Sequence, residues 1–313
     1  MQQRWPKRLN LVLIGAHASV AAQCRRARLR VPPPWNPGDP NPSRVSIWEP
    51  APCGHAKVRP GIASAKAARL AAAWIEAAAR SALHGSLDAL VTAPISKEGL
   101  RLAGIPFAGH TEMLASLTGT RRFAMMLIGG PLRVVLVTRH VPLARVPGEV
   151  TAARIVEAAQ IAAEALPWLG ARNRTIGICG LNPHAGDGGA IGTEEQRVIA
   201  RAIARLRKKG LAVEGPVPAD VIFYHAVRGR YGAVVAMYHD QGLGPLKMLA
   251  FDTGVNVTLG LPIVRTSPDH GTAYDIAGQG VASPRSMIAA IRLAYQLAGK
   301  PNPWKHQRVD VSG

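Results

Sequence analysis

Three histidines of this chain lie two to four residues past segments that are typical of buried strands. His140 follows LRVVLVT, His184 follows RTIGICG, and His239 follows AVVAM. Neutral imidazole is a good ligand for zinc, cobalt or nickel, and three histidines that leave one coordination position open form a known catalytic arrangement. They stand 44 and 55 residues apart, so no local geometry forces them together. Each histidine alone is more typical of a hydrogen-bonded loop residue, and from the residues alone a metal centre is the less favoured of two interpretations.

A second polar segment, GHTE, stands immediately before an apolar stretch with helical spacing. Thr111 is then either an ordinary N-cap or part of an anion site, where free backbone amides and the helix dipole meet a phosphate. His110 would add a side-chain donor to such a site. Lys247 and Arg265 are further cations near predicted strand ends, although both also fit a solvated surface. A structural cap and a phosphate site are both open at this point.

The segment GDGGAIGTEE joins a predicted strand to a predicted helix, as a dinucleotide-binding fingerprint does. Read from Gly186, however, its spacing is G-x-G-G-x-x-G and not G-x-G-x-x-G, and it lies in the middle of the chain. A Rossmann fold is therefore not supported.

The elements that must position these residues alternate between strand and helix, which predicts a mainly parallel layered sheet with ligands at the carboxyl ends of its strands. The predicted strands are LNLVLIG, DALVT, 123–128, 132–137, 174–179, 233–237 and 255–259. The predicted helices are 62–83, 150–166, 193–208, 272–277 and a last one ending at Ala298, opened by Ser283 as N-cap and Pro284 as first residue. The proline-rich stretch 30–61 is predicted to be loop.

Size and composition restrict the class of protein. A chain of 313 residues, 48% of them hydrophobic, can bury a sizeable core and predicts two domains. The net charge of +19 attracts anions in general, but no zinc-finger, RNP or basic-zipper pattern is present. Cys24, Cys53 and Cys179 form no CxxC pair, which favours a reducing cytoplasm, and no apolar stretch approaches the length of a membrane span.

Longer motifs carry a more specific signal, and they extend over nearly the whole chain from about Gln3 to Gly299. They are LDALVTAPISKEGL, AGIPFAGHTEML, GLNPHAGDGGAIGTEE, GPVPADVIF, AMYHDQGLGPLKML and GVNVTLGLPIVRTSPDHGTAYDIAGQG. In these motifs the chain resembles the 4-hydroxythreonine-4-phosphate dehydrogenase family of vitamin B6 biosynthesis. The resemblance implies an α/β, two-domain fold like that of isocitrate and isopropylmalate dehydrogenases, with a cleft between the domains. It places 1–110 with 266–313 in the first domain, and 111–265, with the dimer contact, in the second.

The resemblance also implies roles for particular residues. The positions that match metal ligands are His140, His184 and His239, and those that match substrate-binding positions are His110, Thr111, Lys247, Asn256 and Arg265. Asp220 matches an acidic position at the active site, and either Lys247 or Asp220 would take the proton from the substrate's hydroxyl group. The loop DHGTAYDIAGQGVASP is similar to the adenosine-binding loop of isocitrate and isopropylmalate dehydrogenases, which makes His270, Gly271, Thr272 and Asp275 the cofactor candidates.

The implied activity is the oxidation of 4-phosphohydroxy-L-threonine by NAD or NADP, with one divalent metal (Zn²⁺, Co²⁺ or Mg²⁺) per site. The β-keto acid product would lose CO₂ to give 3-amino-2-oxopropyl phosphate. The family resemblance also implies a cytoplasmic homodimer whose active site is shared between subunits, with no specific nucleic acid and no membrane as partner.

One departure and two alternatives accompany the resemblance. Family members usually open with a segment of the form GDPAGIGPE, which this sequence lacks. A start codon assigned too late explains this better than a shortened, weakened homologue, because the downstream polar positions are retained. One alternative is a paralogue that oxidises a phosphorylated four-carbon sugar acid or a cyclic dihydrodiol carboxylate, and GHTE with Lys247 and Arg265 favours the phosphate. The other alternative is a basic scaffold that binds nucleic acid or a protein partner.

Overall fold

The computed structural model describes residues 5–40, 42–50 and 58–306. Cys53 lies outside the described residues, as does part of the stretch predicted to be loop. The chain divides into two compact units, residues 1–118 with 271–282 and residues 119–270 with 283–313. Helices and strands occur in both units, which confirms the predicted α/β class.

The first unit holds short strands and helices, and one of the helices is rich in alanine. Its strands are β1 (Leu11–Ile14), β2 (Val45–Trp48) and β3 (Ala89–Val91), and its helices are α1 (His17–Arg26), α2 (Ala65–Leu83), α3 (Lys97–Leu102) and α4 (His110–Leu117). β1 and β2 pair in parallel, with Leu11 opposite Val45. β2 lies within the stretch predicted to be loop, so that prediction is wrong there. Its Trp48 is buried and packs edge-on against Trp35 at a ring distance of 6.1 Å, which stabilises a strand among prolines.

The sequence predicted helix α2 correctly except at its start. Ser64 caps the helix, because its Oγ accepts a hydrogen bond from the backbone N–H of Ala67 at 3.2 Å. Alanines and Ile75 at helical spacing then form the buried face. The helix was predicted to begin at residue 62 because the cap was not recognised.

The second unit is built on a mixed sheet. Its strands are β4 (Ala124–Gly129), β5 (Leu132–Leu136), β6 (Ile176–Cys179), β7 (Val213–Val217), β8 (Ala233–Ala236), β9 (Val255–Leu259) and β10 (Val264–Pro268), in the order β10-β9-β4-β5-β8-β6-β7. From β5 to β7 the pairing is parallel, but β4 is antiparallel to both β5 and β9, and β9 is antiparallel to β10. The prediction of a mainly parallel sheet is therefore wrong for one half. A two-residue turn at 130–131 joins β4 to β5, and a connection that short permits only antiparallel pairing.

The helices of the second unit are α5 (Val146–Glu149), α6 (Ala152–Trp168), α7 (Ala200–Lys208), α8 (Ala219–Val227), α9 (His239–Ala250) and α10 (Arg285–Ala298). A π-helical turn, Glu195–Ile199, precedes α7, so the helix predicted over 193–208 begins with a wider turn. The helix predicted over 272–277 does not form. That segment contains only the short 3-10 turn Tyr274–Ile276, preceded by Ala273 in a left-handed conformation.

Helix α10 packs with the second unit and not with the first, where 266–313 had been expected. Thr266 Oγ1 of β10 donates a hydrogen bond to the carbonyl of Ala290 at 2.9 Å, and Ser286 Oγ donates to the carbonyl of Gly254 at 2.6 Å. The predicted start is one residue early, because Pro284 occupies the N-cap position and α10 begins at Arg285.

One face of the second sheet is covered by α8 and α9, and the apolar residues between them form a continuous core. Met125 and Leu127 of β4, Val134 of β5, and Leu243 and Leu246 of α9 belong to this core. It fixes α9, and so the residues that α9 carries, against the strands. Among the residues that the structure describes, no helix is long and apolar enough to cross a membrane.

Candidate active site

His239 begins helix α9, immediately beyond strand β8. Tyr238, in extended conformation, is the N-cap residue, so the chain turns from strand into helix within three residues. The His239 ring is about one third exposed, and its Nδ1 lies 2.6 Å from Oδ1 of Asp240. A histidine whose Nδ1 is held by a neighbouring carboxylate presents Nε2 outward, which is the arrangement usual for metal-binding imidazole.

His140 follows β5, the strand next to β8, and the two histidines meet. The chain continues alongside β8 beyond the strand, because Thr138 N–H and Thr138 Oγ1 both donate to the carbonyl of Met237, at 3.1 and 2.8 Å. The ring centres of His140 and His239 are 5.6 Å apart, with the ring planes inclined by 42°. Adjacent parallel strands thus bring together two of the three predicted metal ligands.

His184 is in a different setting. It lies in the turn Pro183–Gly189 after β6, where His184, Ala185, Gly186, Asp187 and Gly188 all have positive φ. Such a conformation costs a non-glycine residue about 1–2 kcal/mol. Within the described ranges, no three His, Cys, Asp or Glu side chains converge to hold a metal ion. A single copy of the chain therefore does not join His184 to the other two.

The loops that carry His184 and His239 are tied together by Gln241. Its side chain is 8% exposed. Gln241 Oε1 accepts from Met237 N–H at 2.7 Å, and Nε2 donates to the carbonyl of Gly180 at 2.7 Å. The end of β8 is thereby fixed to the end of β6. Sequence analysis did not select Gln241, although its place two residues after His239 was a usable signal.

Lys247 lies two turns further along α9, beside a carboxylate that sequence analysis did not select. Its Nζ is 3.9 Å from Oδ2 of Asp269, whose side chain is 17% exposed. Burial raises the pKa of Asp269, while the charges of Lys247, His239 and His270 act to lower it. Asp269 is held in turn by Ser286, whose Oγ accepts from the Asp269 N–H at 3.1 Å. The signal in the sequence was its position at the end of β10, next to His270.

Asn256 and Arg265 lie on neighbouring antiparallel strands and share one face of the sheet. Ser267 pairs with Asn256 in the ladder, and Nη1 of Arg265 donates to Oγ1 of Thr258 at 2.9 Å. Arg265 is 2% exposed. The Oδ1 atom of Asn256 is buried and has no hydrogen-bond partner in the described chain. A buried acceptor without a partner is costly unless a ligand satisfies it, so this atom fits a substrate donor.

The face that carries Asn256 and Arg265 is the one on which α9 packs. Asn256 pairs with Leu127 of β4, and Leu127 belongs to the apolar core that includes Leu246, the neighbour of Lys247. The side chains of β9 and β10 on this face are therefore directed to the helix that bears His239 and Lys247. Asp220 is an exposed residue in the first turn of α8.

The remaining predicted site residues belong to the first unit, apart from His270. Gly109 occupies the N-cap position of α4. The interpretation of Thr111 as an ordinary N-cap is therefore wrong. His110 is the first residue of α4, and Thr111 is 8% exposed. His270 ends the chain segment of the second unit, and Gly271, Thr272 and Asp275 lie in the segment that returns to the first. The carbonyl of Asp275 accepts a hydrogen bond from Gln279 Nε2 at 2.8 Å.

Comparison with known protein families gives a match over most of the chain. The family described as "Pyridoxal phosphate biosynthetic protein PdxA" matches residues 8–294. Among curated proteins, the 4-hydroxythreonine-4-phosphate dehydrogenase of Geobacter metallireducens is 56% identical over 71% of this chain and 65% of its own length. This chain therefore spans slightly less than two thirds of that relative.

Two further similarities bear on the site and the fold. The D-threonate 4-phosphate dehydrogenase of Cupriavidus necator is 46% identical over 76% of this chain and 72% of its own length. The crystal structure of 4-hydroxythreonine-4-phosphate dehydrogenase from Klebsiella pneumoniae superposes with a TM-score of 0.81 and 39% identity, covering 92% of this chain and 90% of that one. The expected α/β fold of this family is thus confirmed, and a Rossmann fold is not indicated.

Proposed function

This chain belongs to the PdxA family of pyridoxal phosphate biosynthetic proteins, and we propose that it is a metal-dependent dehydrogenase that oxidises 4-phosphohydroxy-L-threonine with NAD or NADP. The observation that carries the proposal is the cluster in the second unit, where His140 and His239 meet and Lys247 lies beside Asp269. His140, His239 and Lys247 match functional positions of the family, whereas Asp269 is indicated only by its contact with Lys247.

His140 and His239 suit a divalent metal, because both present imidazole and the Nδ1 atom of His239 is engaged by Asp240. Bound there, a metal would polarise the substrate's hydroxyl oxygen and so ease loss of its proton. A second copy of the chain would complete the site, consistent with a homodimer in which some of the predicted residues act in trans. Exposed apolar side chains near Lys247 support such an interface, since Met248 is 89% and Phe251 77% exposed.

The substrate would be held by polar groups of β9 and β10. Arg265, with its always charged guanidinium, suits an anionic group of the substrate. Oδ1 of Asn256 would accept a hydrogen bond from the amino group or a hydroxyl group. His110 and Thr111 at the start of α4 would bind the phosphate, where the amides of a helix N-terminus favour an anion. Binding energy from that remote group aligns the reacting carbon with the cofactor.

Lys247 is the better of the two candidates for moving the proton of the substrate's hydroxyl group. It lies two turns along α9 from His239, and the charges of both residues act on Asp269. Asp220 is exposed in the first turn of α8. Hydride would pass to the nicotinamide cofactor, for which His270, Gly271, Thr272 and Asp275 are the proposed binding residues. The β-keto acid product can then lose CO₂.

A second candidate substrate is D-threonate 4-phosphate, because a relative with 46% identity carries that activity in its name. Both substrates have a donor group on the carbon next to the carboxylate, an amine in one and a hydroxyl in the other, and Asn256 Oδ1 could accept from either. The choice is therefore a matter of relative rates.

The test is NAD(P) reduction by the purified chain with each substrate, with and without added Zn²⁺, Co²⁺ or Mg²⁺. We expect metal-dependent turnover that is faster with 4-phosphohydroxy-L-threonine. His140→Asn and His239→Asn should abolish it, whereas His84→Asn, a change in an exposed histidine at the end of α2, should not. Faster turnover with D-threonate 4-phosphate would move the assignment to the second candidate. Turnover with neither substrate, in a protein that binds metal, would contradict both.

A further inference from the structure

The loop between β6 and the π-helical turn folds around one buried carboxylate, that of Glu195. Its Oε1 accepts hydrogen bonds from the N–H groups of Leu181 and Asn182 at 2.7 and 2.8 Å, and its Oε2 accepts from Asn182 Nδ2 at 2.9 Å. Glu195 is only 3% exposed. Burial would raise its pKa, but the hydrogen bonds from Asn182 and Leu181 outweigh that effect and the pKa is lowered. The carboxylate is therefore ionised at neutral pH.

Glycines leave the space that this carboxylate occupies. A Cβ atom on Gly186 would lie 2.7 Å from Glu195 Oε2, and one on Gly180 would lie 3.3 Å from Oε1 and 2.8 Å from Ala185 Cα. A Cβ atom on Gly192 would lie 2.4 Å from Asn182 Nδ2. The loop is thus closely packed on Glu195 from both sides, and the contact is specific in shape as well as in charge.

The part of the loop that needs such support is the left-handed turn with His184. His184, Ala185 and Asp187 have φ of 52°, 53° and 43°. Residues in this region persist only where their surroundings impose the conformation. The backbone supplies some support, since Ala185 N–H donates to the carbonyl of Asn182 at 3.1 Å and Ile191 N–H donates to that of Gly186 at 3.1 Å. Both bonds begin or end at residues that contact Glu195.

We propose that Glu195 is a positioning residue for His184: its carboxylate fixes Leu181 and Asn182 and so sets the left-handed turn that presents the imidazole. The inference rests on the proposed function for the role of His184 as a metal ligand. The positioning itself rests only on the contacts of Glu195. Glu194 is a weaker second support, because its Oε2 accepts from Asn182 Nδ2 at 2.8 Å and from Thr193 N–H at 3.0 Å.

Both carboxylate oxygens of Glu195 are needed as acceptors, in addition to the shape of the side chain. In Glu195→Gln, one side-chain oxygen could still accept from the two backbone N–H groups, but the new amide NH₂ would face Asn182 Nδ2, so that two donors meet. A buried donor without an acceptor destabilises the local structure. Changes to groups that orient metal ligands typically lower metal affinity about 10- to 100-fold.

The test compares wild type, Glu195→Gln and the milder Glu194→Gln in the full chain, with two measurements. The first is Co²⁺ affinity by absorption titration, with His184→Asn defining the part that depends on His184. The second is hydrogen exchange of the backbone amides over residues 181–191 in the metal-free protein. For Glu195→Gln we expect Co²⁺ affinity to fall about 10- to 100-fold and exchange in the loop to accelerate about tenfold or more. Glu194→Gln should change both in the same direction but less.

The matched control is Glu164→Gln. Glu164 also has its carboxylate hydrogen-bonded on both oxygens, to Arg122 at 2.7 Å and to Trp304 Nε1 at 2.8 Å, but it lies on α6. This control should leave Co²⁺ affinity and loop exchange within about twofold of wild type, whatever its melting temperature. Unchanged loop exchange in Glu195→Gln would overturn the inference. Faster exchange in a protein whose wild type shows no His184-dependent Co²⁺ binding would support the positioning and contradict the metal role of His184 in the proposed function.

Discussion

Lys247 Nζ lies 3.9 Å from Asp269 Oδ2, and the carboxylate, not the amine, is the more buried partner. The Asp269 side chain is 17% exposed and that of Lys247 is 41% exposed. The net effect of the surroundings is a raised pKa for Asp269, with burial as the largest cause. Ionisation of Asp269 in this pair therefore costs free energy. Such a cost is more typical of a functional site than of an ion pair that stabilises the fold.

The first prediction concerns the pH dependence of stability in Asp269→Asn. Because the folded pKa of Asp269 is raised, its protonated form contributes stability that is complete below the unfolded pKa of about 3.9, and this contribution is lost as pH rises through the folded pKa. The free energy of unfolding of wild type, relative to the variant, should therefore fall as pH rises from about 4 to neutrality. Urea denaturation at several pH values measures it.

Asp252→Asn is the control for that prediction, since Asp252 is also ion-paired, to Arg285 at 2.7 Å, but is 47% exposed. Its difference from wild type should not show the fall expected for Asp269→Asn. If the stability of wild type relative to Asp269→Asn rose with pH, burial would not be the dominant influence on Asp269.

The second prediction is that Lys247→Met lowers kcat by about 100-fold or more, as expected for loss of a proton-transferring group. The methylene chain of Lys247 is largely retained in methionine, so the fold should persist. Steady-state kinetics with the proposed substrate measures the loss. Lys208→Met, at the exposed end of α7, is the matched control and should keep full activity. A kcat within about threefold of wild type would exclude Lys247 from proton transfer.

The sequence predicted best where local signals and the final packing agree. β9 was predicted with both ends correct, because its apolar run is bounded by Gly254 and by Gly260, which has φ of +93°. β7 was missed, because Gly215 and Pro216 within it are turn signals. Its pairing with β6, more than 30 residues earlier in the chain, is what makes it a strand.

The residues of the candidate site also differ in how far the sequence predicted them. The resemblance implied that His140 and His239 act together, but their spacing alone did not, because the sequence does not show that β5 and β8 are adjacent and parallel. The burial of Asp269 and Glu195 could not be predicted. Asp269 is buried by the packing of α9 and α10, and Glu195 is buried by a left-handed turn that no periodicity indicates. Contacts between elements distant in sequence determine both.

The third prediction is that Thr258→Val lowers the free energy of unfolding by about 1–3 kcal/mol and raises KM for the phosphorylated substrate. Thr258 is 1% exposed, and its Oγ1 accepts from the buried Arg265. Valine keeps the volume and removes this acceptor from a buried charge. Thr266→Val is the control, because Thr266 is also buried but donates to a backbone carbonyl of α10. The Thr266→Val variant should lose stability without a change in KM. A rise in KM equal to that of Thr258→Val would contradict the role of Arg265 in substrate binding.

The fourth prediction separates the strain of the His184 turn from its contact with Glu195. Gly186 and Gly188 both have positive φ, of +83° and +65°, so alanine at either position carries the cost of the left-handed conformation. A Cβ atom on Gly188 meets nothing within 4 Å, whereas one on Gly186 lies 2.7 Å from Glu195 Oε2. Gly186→Ala should therefore destabilise the protein by about 1–3 kcal/mol more than Gly188→Ala, measured by urea denaturation.

The same pair of variants predicts how the loop and the carboxylate are coupled. In Gly186→Ala the Glu195 carboxylate must move, so adding Glu195→Gln should cost less than it does in wild type, and the two effects should not add. Gly188→Ala leaves the carboxylate in place, so its effect should add to that of Glu195→Gln. Additive effects in both double variants would mean that the close approach of Gly186 to Glu195 does not influence how Glu195 holds the turn. Equal losses of stability in the two alanine variants would contradict the close approach itself.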